Sequence, residues 1–389
     1  MPTVYLIAGE ASGDALGSRL IAGLRRRRPD LRFAGIGGPL MEAQGFASLF
    51  PMHDLALMGL VEILPRLFAL RRRLRQTTAD IAARRPDLLV TIDSPGFTLR
   101  VLKEAAALGV RRAHYVAPQV WAWREGRVRH YPGLWDALLC LLPFEPEFFA
   151  RHGLPARFVG HSVLESGADR GDAARFRRRH GIAADAVPLI LMPGSRGSET
   201  RHLLPILGTT LGILKDQVPG LLPVVAVASG MEDQVRAGTV AWPLCPLIVA
   251  DGAEKYDAFA AAAAAITKSG TSTLELALAG VPMVVAYRVN PVTAWLVRRL
   301  VKVRYASILN LIAGREVIPE RVQEACTPET LAATVAPLLR DPAAAQAQRD
   351  AFAPLLTRLH PPGGLPPSEA AVEVLLDLLD QPRSDQRVA

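Results

Sequence analysis

The sequence predicts an α/β protein made of two doubly wound parallel sheets in succession. Three observations lead there. Short runs rich in Val, Ile and Leu recur without polar–apolar alternation, as strands buried on both faces do. Helical segments separate them, the order that builds a parallel sheet. The pattern strand, glycine turn, helix opens the chain at Thr3 and opens again at Pro188. A chain of 389 residues has room for two such domains.

Thr3–Ala8 reads as the first strand, followed by the turn Gly9-Glu-Ala-Ser-Gly13 and a helix to about Arg28. Leu31–Ile36, Asp87–Ile92, Arg111–Ala117, Ala137–Leu142 and Ala156–Val159 are further strands. Residues 163–187 are small, polar and turn-rich around a short basic helix, and read as a linker. The second series follows: strand Pro188–Met192, turn Pro193-Gly-Ser-Arg-Gly197, helix Glu199–Lys215, then strands Leu222–Ala228, Leu247–Ala250, Ala264–Thr267 and Pro282–Ala286. Pro328–Asp380 is helical, with a break at His360-Pro-Pro-Gly-Gly-Leu-Pro-Pro367. The expected division is 1–165, 186–345 and a helical tail, 346–389, packing on the N-terminal domain or on a partner subunit.

Composition removes several classes. Half the residues are hydrophobic and 21% are charged, as in a packed globular protein. The longest uncharged stretches, Val218–Met231 and Ala237–Ala250, contain prolines and fall short of the ~18 residues a membrane span needs. The N-terminus enters a strand directly, with no basic region ahead of an apolar one, so no signal peptide is expected. Cys140, Cys245 and Cys326 form no CxxC, and no two histidines have a metal-binding spacing, so neither metal nor cofactor is expected. The net charge is +8, and 40 of the 45 basic residues are arginine. That balance suits an anionic small substrate, a phosphate or a membrane surface.

Ligands of doubly wound sheets bind at the carboxyl ends of strands, and the informative residues fall there. Gly9–Gly13 matches neither GxGxxG nor a P-loop, so it is a tight turn or a place where backbone N–H groups approach a ligand. Pro193–Gly197 adds Arg196, whose guanidinium can fork onto phosphate. In Thr267-Lys-Ser-Gly-Thr-Ser-Thr-Leu-Glu275, a cation and hydroxyls crowd a helix start, which favours a diphosphate. Glu275 either closes the capping box Ser272-Thr-Leu-Glu275 or accepts hydrogen bonds from a ribose diol. Asp93, ahead of Ser-Pro-Gly at a strand end, is either a general base or a helix N-cap or Asx-turn residue. Trp121 and Trp123 line a ligand or pack the domain. Leu55–Arg75 interleaves Leu60, Val61, Leu64, Leu67 and Phe68 with arginines such as Arg72. It reads as a helix in an anionic membrane interface, or as a core helix with a solvated basic face.

In chain order, Ala8-Gly-Glu-Ala-Ser-Gly-Asp14, Gly35-Ile-Gly-Gly-Pro-Leu-Met41, Asp93-Ser-Pro-Gly-Phe97 and Tyr115-Val-Ala-Pro-Gln-Val-Trp-Ala-Trp123 resemble the lipid-A-disaccharide synthases. So do Leu142–Pro146, Phe158–His161, Pro193–Gly197, Ser269–Thr271, Tyr305–Ala313 and Val317–Glu320. The resemblance runs from about residue 3 to about 325. It departs from the family pattern at Gly96, Thr98, Leu309, Arg321 and Val322.

The resemblance implies two facing doubly wound (Rossmann-like) domains of glycosyltransferase-B architecture with a C-terminal helical segment. The implied reaction is inverting and metal-independent. The 2,3-diacylglucosamine of UDP-2,3-diacylglucosamine passes to the 6-hydroxyl of 2,3-diacylglucosamine 1-phosphate, with release of UDP. Asp93 then looks like the base. Ser195, Arg196, Lys268, Ser269, Gly270, Thr271, Ser272, Glu275 and Asn310 look like the UDP site. Glu10, Ser12 and Gly13 are acceptor-side candidates. Acyl chains on both substrates favour the membrane reading of Leu55–Arg75, which places the protein peripherally on the cytoplasmic face of the inner membrane. A homodimer through the C-terminal segment is also implied, and nucleic acid is not an expected partner. A UDP-sugar 2-epimerase on the same architecture is the nearest rival, disfavoured by the arginine-laced apolar segment. A non-enzymatic basic binder is disfavoured by the two phosphate-type turns, and a nicotinamide oxidoreductase by the absence of GxGxxG.

Overall fold

The computed structural model describes residues 1–55, 63–250, 252–290, 294–295 and 299–381. The chain divides into two compact units, Met1–Ser162 with Leu359–Ala389, and Val163–Arg358.

The first unit is built on a six-stranded parallel sheet of β1 (Thr3–Ala8), β2 (Arg32–Ile36), β3 (Leu88–Ile92), β4 (Arg111–Tyr115), β5 (Ala137–Cys140) and β6 (Ala156–Phe158). Their order is β2-β1-β3-β4-β5-β6. All five residues of β3 are buried, and β1 is buried from Val4 onward, because helices cover both faces. The second unit carries β7 (Val187–Met192), β8 (Leu221–Ala226), β9 (Leu247–Val249), β10 (Ala264–Thr267), β11 (Met283–Tyr287) and β12 (Glu320–Val322). These lie in the order β12-β11-β10-β7-β8-β9, again all parallel. Counted within the unit, that is the dinucleotide-fold order read from the far edge. The fold class is therefore the expected one. Strand β12 escaped the sequence reading because it is a three-residue edge strand with Glu320 and Arg321 in it, not an apolar run.

Strand order reverses between β1 and β3 in one sheet and between β7 and β10 in the other. Such switch points open a crevice at the carboxyl ends of the two strands. The turns after β1, β3, β7 and β10 are those singled out from sequence.

Residues 163–187 are not a free linker. They hold the helix Ala173–His180, started by Asp172, whose carboxylate accepts from Arg175 N at 2.9 Å, and ended by Gly181 at φ +60°. Arg175 forks onto Asp257 at 2.5 and 2.6 Å, and Phe176 is buried beneath. Gly171 passes so close to Tyr256 that a Cβ would lie 1.9 Å from its carbonyl oxygen. The linker reading failed because a short basic helix looks solvated when its carboxylate partner lies far along the chain.

The tail divides as well. Pro328–Arg340 and Pro342–Thr357 stay with the second unit, whereas Pro367–Asp380 packs on the helix Ala11–Arg27 of the first. Ala371, Val372, Leu375 and Leu378 join the core formed by Leu20, Ile21 and Leu24. Gly23 is required there, since a Cβ would come 2.7 Å from Val372 Cγ2. Arg26 pairs with Glu369, Arg27 with Glu373 and Arg28 with Asp380. The arginines at the end of the helix Ala11–Arg27 thus meet a carboxylate row, although such exposed pairs contribute little individually.

Candidate active site

At the first switch point the ends of β1 and β3 touch. A Cβ on Gly9 would lie 2.6 Å from Ser94 Oγ, so only glycine fits at the start of this turn. Ser94 Oγ is buried and has no hydrogen-bond partner. Asp93 and Ser94 both take left-handed backbone, at φ +49° and +47°, and Val116 at the end of β4 does so at +76°. A β-branched residue in that region is a true outlier, and strain of this kind clusters at functional sites. The three positions are tied together. Asp93 N donates to Tyr115 O at 2.9 Å, and Val116 N donates to Leu139 O at 3.0 Å. Thr98, fully buried, donates its hydroxyl to Asp93 O at 2.7 Å.

The N-cap of the helix Pro95–Ala106 is Ser94, so capping does not account for Asp93. Burial pushes its carboxyl above the usual carboxylate range, against the smaller lowering by the Ser94 N–H. Such a carboxylate is suited to accept a proton from an alcohol.

Glu10 and Ser12 lie exposed at the start of the helix Ala11–Arg27. Gly13 is buried on the same helix start, where a Cβ would meet Ala8 and Ile92 at ordinary contact distances of 3.4 to 3.6 Å.

Two further carboxylates in this unit gave no clear sequence signal. Asp14 is buried and accepts three backbone N–H bonds, from Gly38, Leu40 and Met41 at 2.9, 2.9 and 3.0 Å. It pins the Gly35–Met41 turn, and a Cβ on Gly38 would meet its Oδ2 at 2.6 Å. Glu145, also buried, accepts from Leu141 N, Leu142 N and the Trp121 indole at 3.0 to 3.1 Å. Trp121 is thereby a strut between the segments after β4 and β5, packed edge-on against Phe144 with ring centroids 4.9 Å apart. Trp123 is exposed, with Arg124 over its ring.

Burial pushes the Glu145 pKa up to about 7, although all three donors pull it down. A carboxyl that holds its proton more tightly when folded adds stability below its unfolded pKa and loses that contribution as pH rises through the folded one. Stability measured by urea unfolding is therefore expected to contain a component that falls between about pH 4.5 and 7, and Glu145→Gln is expected to remove it.

At the second switch point, Ser195 and Arg196 are exposed on the turn after β7. After β10, Lys268 N donates to Met192 O at 3.1 Å, which binds the two strand ends together. Lys268 Nζ lies 3.1 Å from Glu199 Oε1, with Arg196 Nη1 3.6 Å from the same oxygen. Gly270 at φ +154° is the N-cap of Thr271–Leu278, and Thr271 is exposed at its first position. Ser269 donates to Ala306 O at 2.6 Å, and Ser272 Oγ donates to Lys268 O at 3.2 Å.

The capping box does not form. Glu275 turns away from the helix start, accepting from Tyr256 OH at 2.9 Å and from Lys255 Nζ at 3.2 Å. Its side chain remains partly open.

Asn310 must be corrected. It is fully buried, and its amide is fully engaged within the unit. Nδ2 donates to Ile318 O and Glu320 Oε1, and Oδ1 accepts from Val317 N and Ile318 N, all at 2.7 to 2.9 Å. No donor or acceptor is left for UDP. Glu320 also accepts from Ala306 N and Ser307 N, so the pair props the segment that Ser269 leans on.

The membrane segment is described in part. Leu60 and Val61 lie outside the described residues, as do the side chains of Leu64 and Leu67. On the helix Ile63–Arg84, Phe68 is 68% exposed and Arg72 is exposed, while Leu70, Leu74 and Ile81 face the core. One face of this helix therefore packs in the core, and another leaves Phe68 and Arg72 exposed. Among the described residues no helix is long and apolar enough to cross a membrane, and no cluster of His, Cys, Asp and Glu could hold a metal. His114 and His161 are buried, which pushes their pKa values down to about 4 and keeps them neutral.

Cations and hydroxyls at the switch point of one unit, and a strained, half-buried carboxylate at the switch point of the other, are the equipment of a glycosyltransferase built from two Rossmann-like units. Solved structures of that architecture superpose on the chain. They include a calicheamicin glycosyltransferase (TM-score 0.60, 17% identity, 97% of this chain and 98% of the other). A UDP-GlcNAc 2-epimerase from Neisseria meningitidis bound to UDP-GlcNAc superposes as well (TM-score 0.63, 9% identity, 97% and 98%). At those identities the likeness is one of fold. Sequence separates the two classes. The chain belongs to the lipid-A-disaccharide synthase family: the family model for lipid-A-disaccharide synthetase matches residues 4–360. The lipid-A-disaccharide synthase of Granulibacter bethesdensis is 55% identical over 96% of this chain and 98% of its own length. That of Gluconobacter oxydans is 57% identical over 98% and 92%.

Proposed function

We propose that the chain joins UDP-2,3-diacylglucosamine to 2,3-diacylglucosamine 1-phosphate in lipid A biosynthesis, forming a β-1′,6 link and releasing UDP. The observation that carries the residue assignment is Asp93: a half-buried carboxylate on strained backbone at a switch point, outside the N-cap position of the following helix. Asp93 takes the proton of the acceptor 6-hydroxyl as its oxygen attacks the anomeric carbon. Arg196, Lys268, Ser195 and the Ser269–Ser272 helix start stabilise the charge that develops on the departing diphosphate. Glu275 accepts from the ribose diol. Glu10 and Ser12 contact the acceptor. In this reading the unit with β1–β6 serves the acceptor and membrane, and the unit with β7–β12 serves UDP.

Purified protein incubated with both substrates and a metal chelator is expected to form disaccharide and UDP in equal amounts. Absence of both products overturns the assignment.

The protein works in this reading as a peripheral enzyme on the cytoplasmic face of the inner membrane, and as a homodimer through its C-terminal segment. Support for the surface contact is the exposed Phe68 beside Arg71, Arg72 and Arg75, since apolar groups flanked by arginines suit an anionic lipid interface. Replacing Leu64, Leu67 and Phe68 by serine is expected to weaken flotation with anionic vesicles while the far-UV spectrum stays unchanged. Equal flotation removes the membrane role from this helix.

A further inference from the structure

We propose that Glu199, on the first turn of the helix Gly197–Leu214, is a positioning residue of the donor site. Its carboxylate sets the Lys268 ammonium and the Arg196 guanidinium against a nucleoside diphosphate. The inference rests on the assignment of the β7 and β10 turns to UDP.

Glu199 is only 5% exposed. Its Oε1 is in an ion pair with Lys268 Nζ at 3.1 Å and lies 3.6 Å from Arg196 Nη1. Its Oε2 is buried and has no hydrogen-bond partner among the described residues. A buried carboxylate with an unpartnered oxygen is costly, and needs an explanation beyond packing. Capping supplies none. Glu199 stands three residues after the N-cap Arg196, where a reciprocal capping bond would form, yet no side-chain cap bond is made.

The turn before it is shaped around the carboxylate. Gly194 has φ +121°, and a Cβ there would lie 2.7 Å from Glu199 Oε2 and 2.9 Å from its Cβ. Only glycine lets the Pro193–Gly197 turn pass directly over this side chain. The charged and titratable groups facing it are Lys268 from the β10 turn, Arg196 from its own turn and Tyr287 at the end of β11.

An anion beneath a diphosphate site does not attract the ligand. What it supplies is direction. A lysine ammonium has three N–H donors on a flexible stem. An ion pair with a fixed carboxylate restricts where that stem can point and lowers the entropy lost in placing the ammonium at binding. Arg196, whose side chain is mostly exposed, gains an anchor from the same oxygen.

The test is a double-mutant cycle on the full chain with UDP itself as the probe, its affinity measured by calorimetry. Lys268→Ala is expected to weaken UDP binding, and Glu199→Gln to weaken it about tenfold. The double variant is expected to lose clearly less affinity than the two single losses combined, because part of the effect of Glu199 passes through that lysine and only the part through Arg196 remains. Glu199→Asp, which keeps the charge at shorter reach, should recover part of the loss, and it replaces Gln in the cycle if the latter variant fails to fold. Unchanged affinity in the Glu199 variants, or losses that add in the double variant, overturns the inference and leaves the UDP site standing. Unchanged affinity in Lys268→Ala overturns the UDP assignment of the turn, and the inference with it.

Discussion

Asp93→Asn is expected to cut disaccharide formation by ~10²–10⁴-fold, the range for loss of a positioned general base. UDP affinity should be retained, since Asp93 and the UDP turns belong to different units. The variant isolates proton transfer unusually well. Asparagine tolerates left-handed backbone, so φ +49° adds no new strain. The N-cap position of the helix after it is Ser94, so the substitution does not fall on the cap.

The pH profile gives a second reading. A base works ionised, and burial lifts this carboxyl above the usual range. The acid limb of kcat/KM should therefore fall at a higher pH than for an exposed carboxylate and be absent from the residual activity of the Asn variant. Unchanged turnover assigns Asp93 a structural part only.

Asp14→Ala is expected to have the largest effect on stability. Three backbone N–H groups converge on that carboxylate, and two of their residues, Gly38 and Met41, are buried. Stranding buried donors costs ~1–3 kcal/mol each where no water replaces the partner. A loss of about 3–5 kcal/mol in urea unfolding is the expected outcome, large for a single substitution. Asp14→Asn should cost less. Its remaining oxygen can still accept from Gly38 and Met41, which share Oδ1, and only the Leu40 bond to Oδ2 is lost. Equal losses in the two variants would show that the damage comes from the burial of the side chain and not from these bonds.

Strand positions and turn chemistry were largely legible in the residues, for a physical reason. Strands buried on both faces must be apolar throughout, and the turns at their ends need glycine wherever another backbone or side chain approaches, as Gly9 does against Ser94. The sequence reading was weaker wherever a side chain's partner lies far along the chain. Glu275 sits in a faultless capping-box spacing, yet its carboxylate goes to Lys255 and Tyr256. Asn310 stands in a family motif and proves to be wholly internal, because eight to ten residues later the chain returns with Ile318 and Glu320 to meet its amide. Glu199, Asp14 and Glu145 follow ordinary local rules in sequence. Only burial and the convergence of donors from other elements mark them out. The departures at Gly96 and Thr98 become local facts: a Cβ on Gly96 meets nothing within 4 Å, and Thr98 braces the Asp93 carbonyl.

The helix Pro367–Asp380 has a consequence for how the protein is made. It belongs to the core of the unit whose sheet is translated first, yet the whole of Val163–Arg358 is synthesised between them. On the ribosome, β1–β6 emerge with Leu20, Ile21 and Leu24 awaiting Val372 and Leu375, and with Arg26 to Arg28 awaiting their carboxylates. Contacts of such long sequence separation form slowly. The nascent first unit must therefore persist with an uncovered apolar groove while the second unit is being completed, the interval in which a chaperone or a neighbouring nascent chain has access to it.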